Sequence, residues 1–423
     1  MEEANEMEKL PEGWKRVNLG DMTYFKAVGS GIDYFTGYKN YLSTNSVQGK
    51  KITHIEEIIT FKNRPSRANM QPKKDRVAFA KMRNTIKVLL IDEKLEKDYI
   101  LSTGFALLET TINPKFIYQY LLSPFFNKQK DIFAEGTTQE AISNDDFDKI
   151  YITFPELKSE QQKIAEILET VDNAIEKTDK IIEKYKRIKQ GLMQDVLTKG
   201  IDEKGNIRSE KTHKFKDSPL GRIPEEWEVV RLGEIGEIIY GERLNEYEYV
   251  ENGSSIVYGT TGIISRSEKY LGIGETIILP RKGSINNKFY VEKGQKFFVI
   301  DTAFYLKFNS KETLNIKYLF YFLNRINLEL LNEATGVPSL NRENLKNILL
   351  TLPPLPEQQR TASILSNIDE TIEKEEQYKE KLKRIKQGLM EDLLTGKVRV
   401  NHLIKSAVIC QEERGNNSPA PSF

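Results

Sequence analysis

From Ser159 to about Leu197, apolar residues recur at Ile164, Leu168, Val171, Ile175, Ile182 and Tyr185, with Leu192 beyond. The steps alternate four and three, which is a heptad seam. Asp172, Asp179, Glu183 and Lys186 are expected on other faces. No proline interrupts the stretch, and Gly191 is its only glycine. A second stretch, from about Pro356 to Leu394, shows Leu365, Ile368, Ile372, Tyr378, Leu382, Ile385 and Leu389. Its middle is poorer, because Glu375 and Lys379 stand where the first has Thr178 and Ile182. Pro356 suits a first helical turn, where no hydrogen bond is lost. "TKG" (Thr198–Gly200) and "TGK" (Thr395–Lys397) supply the glycine that ends each helix. The pattern predicts two helices of roughly 38 residues, each about 57 Å long.

Before each helix the pattern changes. "ETIILPRKGSINNKFYVEKGQKFFVIDTAFYLKF" (Glu275–Phe308) reads as β-branched and aromatic runs broken by turn signals. "KFIYQYLLSPFF" (Lys115–Phe126) and "IKYLFYFLNRINLELLNE" (Ile316–Glu333) read as apolar helices. The fold class expected is α+β, with a curved sheet and a few helices in each globular part.

The chain is written twice. "KRIKQGLM" occurs at Lys186–Met193 and again at Lys383–Met390. "PEGWKRVNLGDM" (Pro11–Met22) returns as "PEEWEVVRLGEI" (Pro224–Ile235), and "SEQQKIAEILETVDNAIEK" (Ser159–Lys177) as "PEQQRTASILSNIDETIEK" (Pro356–Lys374). Between these anchors "VAFAKMR" (Val77–Arg83) aligns with "TIILPRK" (Thr276–Lys282), and "STGFALL" (Ser102–Leu108) with "DTAFYLK" (Asp301–Lys307). The first copy is longer by about 16 residues, all before its helix. The ends of each copy are alike and the middles have diverged. Two such helices most simply bury their seams against each other as an antiparallel pair with a pseudo-twofold repeat, holding the globular parts apart. A coiled coil between chains is the alternative. The repeated octapeptide suggests two equivalent docking places for two copies of one partner, at Lys186, Arg187, Lys189, Gln190 and Met193 and at Lys383, Arg384, Lys386, Gln387 and Met390. Structural retention after duplication is the rival explanation.

Composition adds limits. The 423 residues suggest two or three domains. No apolar run approaches the ~18 residues that span a bilayer, and the acidic, polar start is not a signal peptide. One cysteine, Cys410, and three scattered histidines build neither a disulfide nor a zinc site. The expectation is a cytoplasmic protein without metal or cofactor. Net charge is only +1, yet from Lys62 to Lys97 eleven bases face four acids. Such a segment binds phosphate or is a solvated face.

Candidate DNA-contacting residues are Lys62, Arg64, Arg67, Lys81 and Arg83 in the first globular part. In the second they are Tyr258, Thr260 and Thr261 of "YGTTG" and Arg281, Lys282 and Ser284 of "PRKGS". Glycine-containing turns with hydroxyls and bases suit close approach to a phosphate backbone and base edges. Ordinary hairpin turns are the alternative. Enzyme signatures are missing. There is no Asn/Asp-Pro-Pro-aromatic tetrapeptide, no phosphate-binding GxxxxGK[ST] loop and no GxSxG, and "VGSG" (Val28–Gly31) lacks a strand–loop–helix context. The sequence favours a binder over an enzyme.

Taken together, "LGRIPEEWEVVRLGEI" (Leu220–Ile235), "YGTTGIISR" (Tyr258–Arg266), "LPPLPEQQRTASILSNID" (Leu352–Asp369), "GTTQEAIS" (Gly136–Ser143) and "IKQGLMEDLLTGKVRV" (Ile385–Val400) resemble the specificity subunits of type I restriction–modification systems. The likeness covers nearly the whole chain up to Val400. It implies a target recognition domain at residues 1–157, a conserved helix at 158–198, a linker and second recognition domain at 199–355, and a second helix at 356–397. The tail, 398–423, lies largely outside the pattern and is a candidate for disorder. The resemblance further implies a non-catalytic chain that reads a bipartite site on double-stranded DNA. Its helices bind two adenine methyltransferase subunits, and a restriction (translocase) subunit completes the enzyme. Two rival classes are a two-headed protein-binding scaffold and a DNA-modifying enzyme with an unfamiliar site.

Overall fold

A computed structural model describes residues 10–134, 140–309 and 312–403. Part of "GTTQEAIS" (136–139), Cys410 and most of the tail (404–423) lie outside the described residues. The chain divides into two compact units, one of residues 1–179 and 378–423 and the other of residues 180–377. Each unit holds one globular domain, part of the first long helix (Lys158–Val196) and part of the second (Leu355–Leu394).

In the first unit, one four-stranded sheet runs Glu57–Ile59, Lys39–Leu42, Tyr99–Ser102, Ala68–Met70. A second runs Phe25–Ala27, Phe105–Thr110, Val77–Ala80, Val88–Leu90. Trp14–Asn18 pairs antiparallel with Tyr151–Pro155. The second unit repeats this strand for strand. Its sheets run Gly262–Ser267, Ser255–Gly259, Lys296–Val299, Gly272–Ile273, and Gly236–Tyr240, Ala303–Phe308, Thr276–Pro280, Phe289–Val291. Glu228–Arg231 pairs with Leu349–Leu352. The single curved sheet expected from sequence is thus split in two. The strands Val77–Ala80 and Thr276–Pro280 are buried along their whole length, which is why they read as continuous apolar runs rather than alternating ones. The apolar stretches after them fold as Pro114–Leu121 and Pro124–Phe133 in the first unit and Ile316–Asn324 in the second. Among the described residues, no helix is long and apolar enough to cross a membrane.

Each domain core extends onto both helices. In the first unit Phe79, Phe116, Phe126 and Phe154 share a core with Ile164 and Leu168 and with Leu393 and Leu394. In the second, Phe304, Tyr318 and Tyr321 share one with Val196 and Leu197 and with Ala362 and Leu365. Each buried Leu, Ile, Val or Phe among them stabilises by roughly 1.5–3 kcal/mol. Within each unit the helices run antiparallel. Asp172 meets Lys386 at 2.8 Å and Asp179 meets Lys379 at 2.5 Å in one unit, while Lys189 meets Asp369 at 2.5 Å in the other.

The repeated ends now have a packing cause. Gly396 and Gly200 both take left-handed backbone (φ +78° and +71°) where the helices stop. A Cβ on Gly396 would lie 3.0 Å from the Trp14 ring, and one on Gly200 would lie 2.5 Å from that of Trp227. So "PEGW" meets the "TGK" turn, and "PEEW" meets the "TKG" turn. The "EQQ" repeat is equally occupied. Gln161 accepts from Asn113 N at 2.9 Å and donates to Pro155 O at 2.8 Å. Gln358 accepts from Asn315 N at 2.8 Å and donates to Pro353 O at 2.8 Å. Each glutamine ties the start of the long helix to the end of the strand before it and to the N-cap of an earlier helix of the same domain.

Two expectations about the seam are corrected. Asp172, placed off the apolar seam by the heptad, is only 5% exposed. It accepts from Lys386, from Lys50 at 3.1 Å and from Gln119 at 2.9 Å, and these partners satisfy a carboxylate that would otherwise be too costly to bury. Tyr378 and Ile385, assigned to the seam, are exposed at 51% and 43%. Glu375 and Lys379 lie closer to it, so the second helix buries less apolar surface at mid-length than its spacing suggested.

Candidate nucleic-acid interface

In the second unit, two of the sequence motifs come together. The antiparallel strands Ser255–Gly259 and Gly262–Ser267 are joined by Thr260 and Thr261 alone, and Gly262 takes φ +109°. Asn287 Nδ2 donates to Thr260 O at 3.1 Å. A Cβ on Gly283 would lie 3.7 Å from Thr260 Oγ1. "YGTTG" and "PRKGS" therefore form one loop cluster. After Pro280, Arg281 N and Lys282 N both donate to Thr302 O, at 2.9 and 3.1 Å. Gly283 N donates to Pro338 O, and Leu340 N to Arg281 O. Thr261, Lys282 and Ser284 are exposed, and Thr260 is half-buried. Arg281 is half-buried too, with Nη1 on Asp301 O at 2.7 Å and its guanidinium 5.1 Å from the centre of the Tyr240 ring. Tyr258 does not join this surface. It is 5% exposed, belongs to the core, and its hydroxyl accepts from Gln295 at 3.0 Å.

The first unit uses the same hydrogen-bond scaffold with other side chains. Lys81 N donates to Gly104 O, Ile142 N to Lys81 O and Arg83 N to Glu140 O. By these bonds Lys81 corresponds to Arg281 and Arg83 to Gly283. The preceding strands align as the sequence does, Ala80 facing Phe105 and Leu279 facing Phe304. The sequence alignment set Lys81 against Pro280, so it slips by one residue where the strand ends. Lys81 is half-buried, and burial pushes its ammonium below the usual lysine range. Arg83 is exposed and pairs with Glu140 at 2.6 Å. Lys62, Arg64 and Arg67 lie on the loop after Glu57–Ile59. Arg67 O accepts from Thr103 N, beside the turn that holds Lys81, so the two basic sets adjoin. Arg64 lies over the Phe61 ring at 4.5 Å, and the exposed Tyr34 packs edge-on against the same ring.

Two buried lysines underpin these loops, and nothing in the sequence distinguished them from surface lysines. Lys130 is fully buried and donates to Met82 O at 3.0 Å and to Thr85 O, with the Asp131 carboxylate at 3.7 Å. Lys288 is 7% exposed and donates to Asn286 O at 3.1 Å, Asn286 Oδ1 at 3.2 Å and Ile326 O at 2.8 Å. Burial pushes the Lys288 ammonium down to about 8. Each lysine gathers carbonyls of a loop that would otherwise need water.

The octapeptide splits into two faces. Lys189 and Lys386 point inward, to Asp369 and Asp172. Met390 is 5% exposed in the first core, and Met193 packs against the second. Lys186 pairs with Glu376 at 2.7 Å, and Lys383 with Glu380 at 2.7 Å. Arg187, Gln190, Arg384 and Gln387 are exposed, together with Ile188 and Ile385. Gly191 and Gly388 stand among them, and a Cβ at either would meet nothing.

The chain is matched at residues 11–186 and 224–384 by the model of the type I restriction modification DNA specificity domain, and it belongs to that family. Its curated relatives include the type I restriction enzyme MjaVIII specificity subunit of Methanocaldococcus jannaschii, 29% identical over 93% of this chain and 95% of that protein. The putative MjaX specificity subunit of the same organism is 30% identical over 66% of this chain and 67% of that one. Among solved structures, the S subunit of a type I system from M. genitalium superposes with a TM-score of 0.60, covering 91% of this chain and 98% of that one at 17% identity. A chain solved in work on complex assembly and conformational transition of the type I R-M system gives 0.55 over 92% and 100%, at 20% identity. Both share the fold.

Proposed function

We propose that each globular domain reads one half of a bipartite, asymmetric site on double-stranded DNA, and that the chain itself is non-catalytic. The observation that carries this is one scaffold bearing unlike side chains at equivalent loop positions. Lys81, Met82 and Arg83 in one domain stand where Arg281, Lys282 and Gly283 stand in the other. A protein reading two identical half-sites would need matching loops. The outward face of the octapeptide docks two adenine methyltransferase subunits in the cytoplasm, through which restriction subunits join. Support comes from Gly191 and Gly388. A mid-helix glycine costs roughly 0.5–1 kcal/mol against alanine, and neither has a packing reason within its own unit. The helices set the spacing between half-sites.

Co-purification with methyltransferase subunits, followed by mapping of methylated adenines, tests the proposal. An asymmetric, two-part motif is expected. A perfect palindrome would overturn the asymmetric reading, and methylation by the isolated chain would overturn the non-catalytic one. Inserting seven residues in each helix keeps the seam on one face and adds about 10 Å. An active variant that kept its original spacer would show that the helices do not set the distance.

A further inference from the structure

Arg342 lies outside the repeated motifs and the two loop motifs, yet it stands beside both the Arg281 turn and the Tyr240 ring. It opens the short helix Arg342–Lys346, and Asn341, its N-cap, accepts from Glu343 N at 3.0 Å. Leu340, just before, is tied to Arg281 O at 2.8 Å. The two arginines are therefore fixed to one scaffold. Their guanidinium carbons lie 5.1 Å (Arg281) and 5.2 Å (Arg342) from the centre of the Tyr240 ring. That ring ends strand Gly236–Tyr240, stacks near Phe304 at 4.9 Å, and is 44% exposed.

Two cations held on one ring are at most about 10 Å apart, about one Debye length at 0.1 M salt. They repel, and little nearby offsets them. The carboxylate nearest to Arg342, that of Glu343, is 3.8 Å from Nε and is bonded to Lys346 at 2.8 Å. Arg342 Nε has no hydrogen-bond partner although the atom is buried. Arg281 gives Nη1 to a backbone carbonyl and has no ion pair among the described residues. The groove beside the ring is lined by Arg342, Lys346 and Glu237, so its charged lining is net positive. An anion held at the solvent-facing side of the guanidiniums would relieve the repulsion. Lys282, next in sequence to Arg281, is exposed, so this patch is continuous with the loop cluster.

We propose that Arg281, Arg342 and Tyr240 form a clamp for a backbone phosphate of the DNA half-site read by the second domain. Tyr240 holds the guanidiniums in place through cation–π contact, and Arg342 makes the phosphate contact. The clamp adds affinity and register but no base preference. It rests on the DNA-reading function proposed above.

The test uses the complex assembled with methyltransferase subunits and a duplex carrying its mapped site, titrated over a range of salt. Arg342→Ala should weaken binding several-fold and lower the slope of log affinity against log salt by about one. Arg342→Lys should keep most of the slope, and Lys293→Ala, on another exposed loop of the same domain, should change nothing. The mapped site should stay the same. If wild type binds and Arg342→Ala, with an unchanged melting midpoint, keeps affinity and slope, the clamp is wrong and the function stands. Weakening confined to some sequences would also overturn it, in favour of a base contact. Wild-type complex that fails to bind the duplex would overturn both.

Discussion

The two domains differ most at one hairpin. In the second, Ser255–Gly259 turns into Gly262–Ser267 through two residues. In the first, the equivalent strands Lys39–Leu42 and Glu57–Ile59 are separated by residues 43–56, which build a small hairpin of Val47–Gln48 and Lys51–Ile52. This excursion holds most of the first copy's extra length. It is strapped to the first long helix, with Lys50 on Asp172 at 3.1 Å and Glu176 at 2.8 Å, and Lys51 on Asp179 at 3.2 Å. The inner lysines follow suit. Asp172 is buried with three partners, while its counterpart Asp369 has a side chain 38% exposed and is held by Lys189 and by Tyr321 at 2.8 Å. The ladder of strands is common property, and the hairpin is where one copy acquired a second attachment to its helix.

The largest expected difference between the copies lies at these aspartates. Asp172→Asn leaves Lys386 without its carboxylate while Lys50 keeps Glu176, and removing one member of a buried ionic set costs about 3 kcal/mol or more. Asp369→Asn should cost no more than about 1 kcal/mol, as for a half-exposed pair. Domain-resolved hydrogen exchange would measure both. Equal losses would remove the contrast.

The buried lysines give a pH test. The Lys288 value in the folded protein, about 8, lies below that of the unfolded chain, about 10.5. Below about 8 both states are charged and the burial penalty is fully present. Above it the folded protein gives up the proton while the unfolded chain keeps it, so stability rises with pH. Between pH 8 and 9.5 the second unit should gain about 1–2 kcal/mol. Lys288→Met should lose that gain, though it is less stable at neutral pH because the carbonyls of Asn286 and Ile326 lose their donor. Lys130 is shifted down too, but the Asp131 carboxylate opposes the shift, so the first unit should respond less. An unaltered pH response in Lys288→Met would sink this assignment.

The paired tryptophans should separate next. Trp227 Nε1 donates to Glu357 at 3.2 Å, whereas Trp14 Nε1 is buried without a partner, and Glu160 is held instead by Arg399 at 2.7 and 2.9 Å. Trp227→Phe gives up a hydrogen bond to a charged group and should cost about 1.5 kcal/mol more in thermal unfolding than Trp14→Phe. The smallest effect is expected at Lys51→Ala. Its pair is exposed, so stability should change by less than about 0.5 kcal/mol. Amides of residues 44–55 should nonetheless exchange faster, and unaltered exchange would mean that the Lys51 pair does not hold the hairpin.

Periodicity and repetition in one dimension were enough to determine the two long helices, the duplication, the α+β class and the family likeness. Heptad spacing and octapeptide identity survive any arrangement of the rest. The loop motifs were legible too, because glycine, hydroxyl and base together constrain a turn. Tertiary structure alone decided which polar residues went inside. Asp172 lies off the apolar seam in the heptad, and it is buried because Lys386, Lys50 and Gln119 converge on it from segments far away in sequence. Tyr258 sits in a promising turn motif but faces a core that no local pattern reveals. Lys130, Lys288 and Arg342 read as ordinary surface bases until distant carbonyls and a distant ring surround them. Local pattern records the backbone preference of each segment. Burial and pairing are properties of neighbours, and those neighbours are set only when the chain closes on itself.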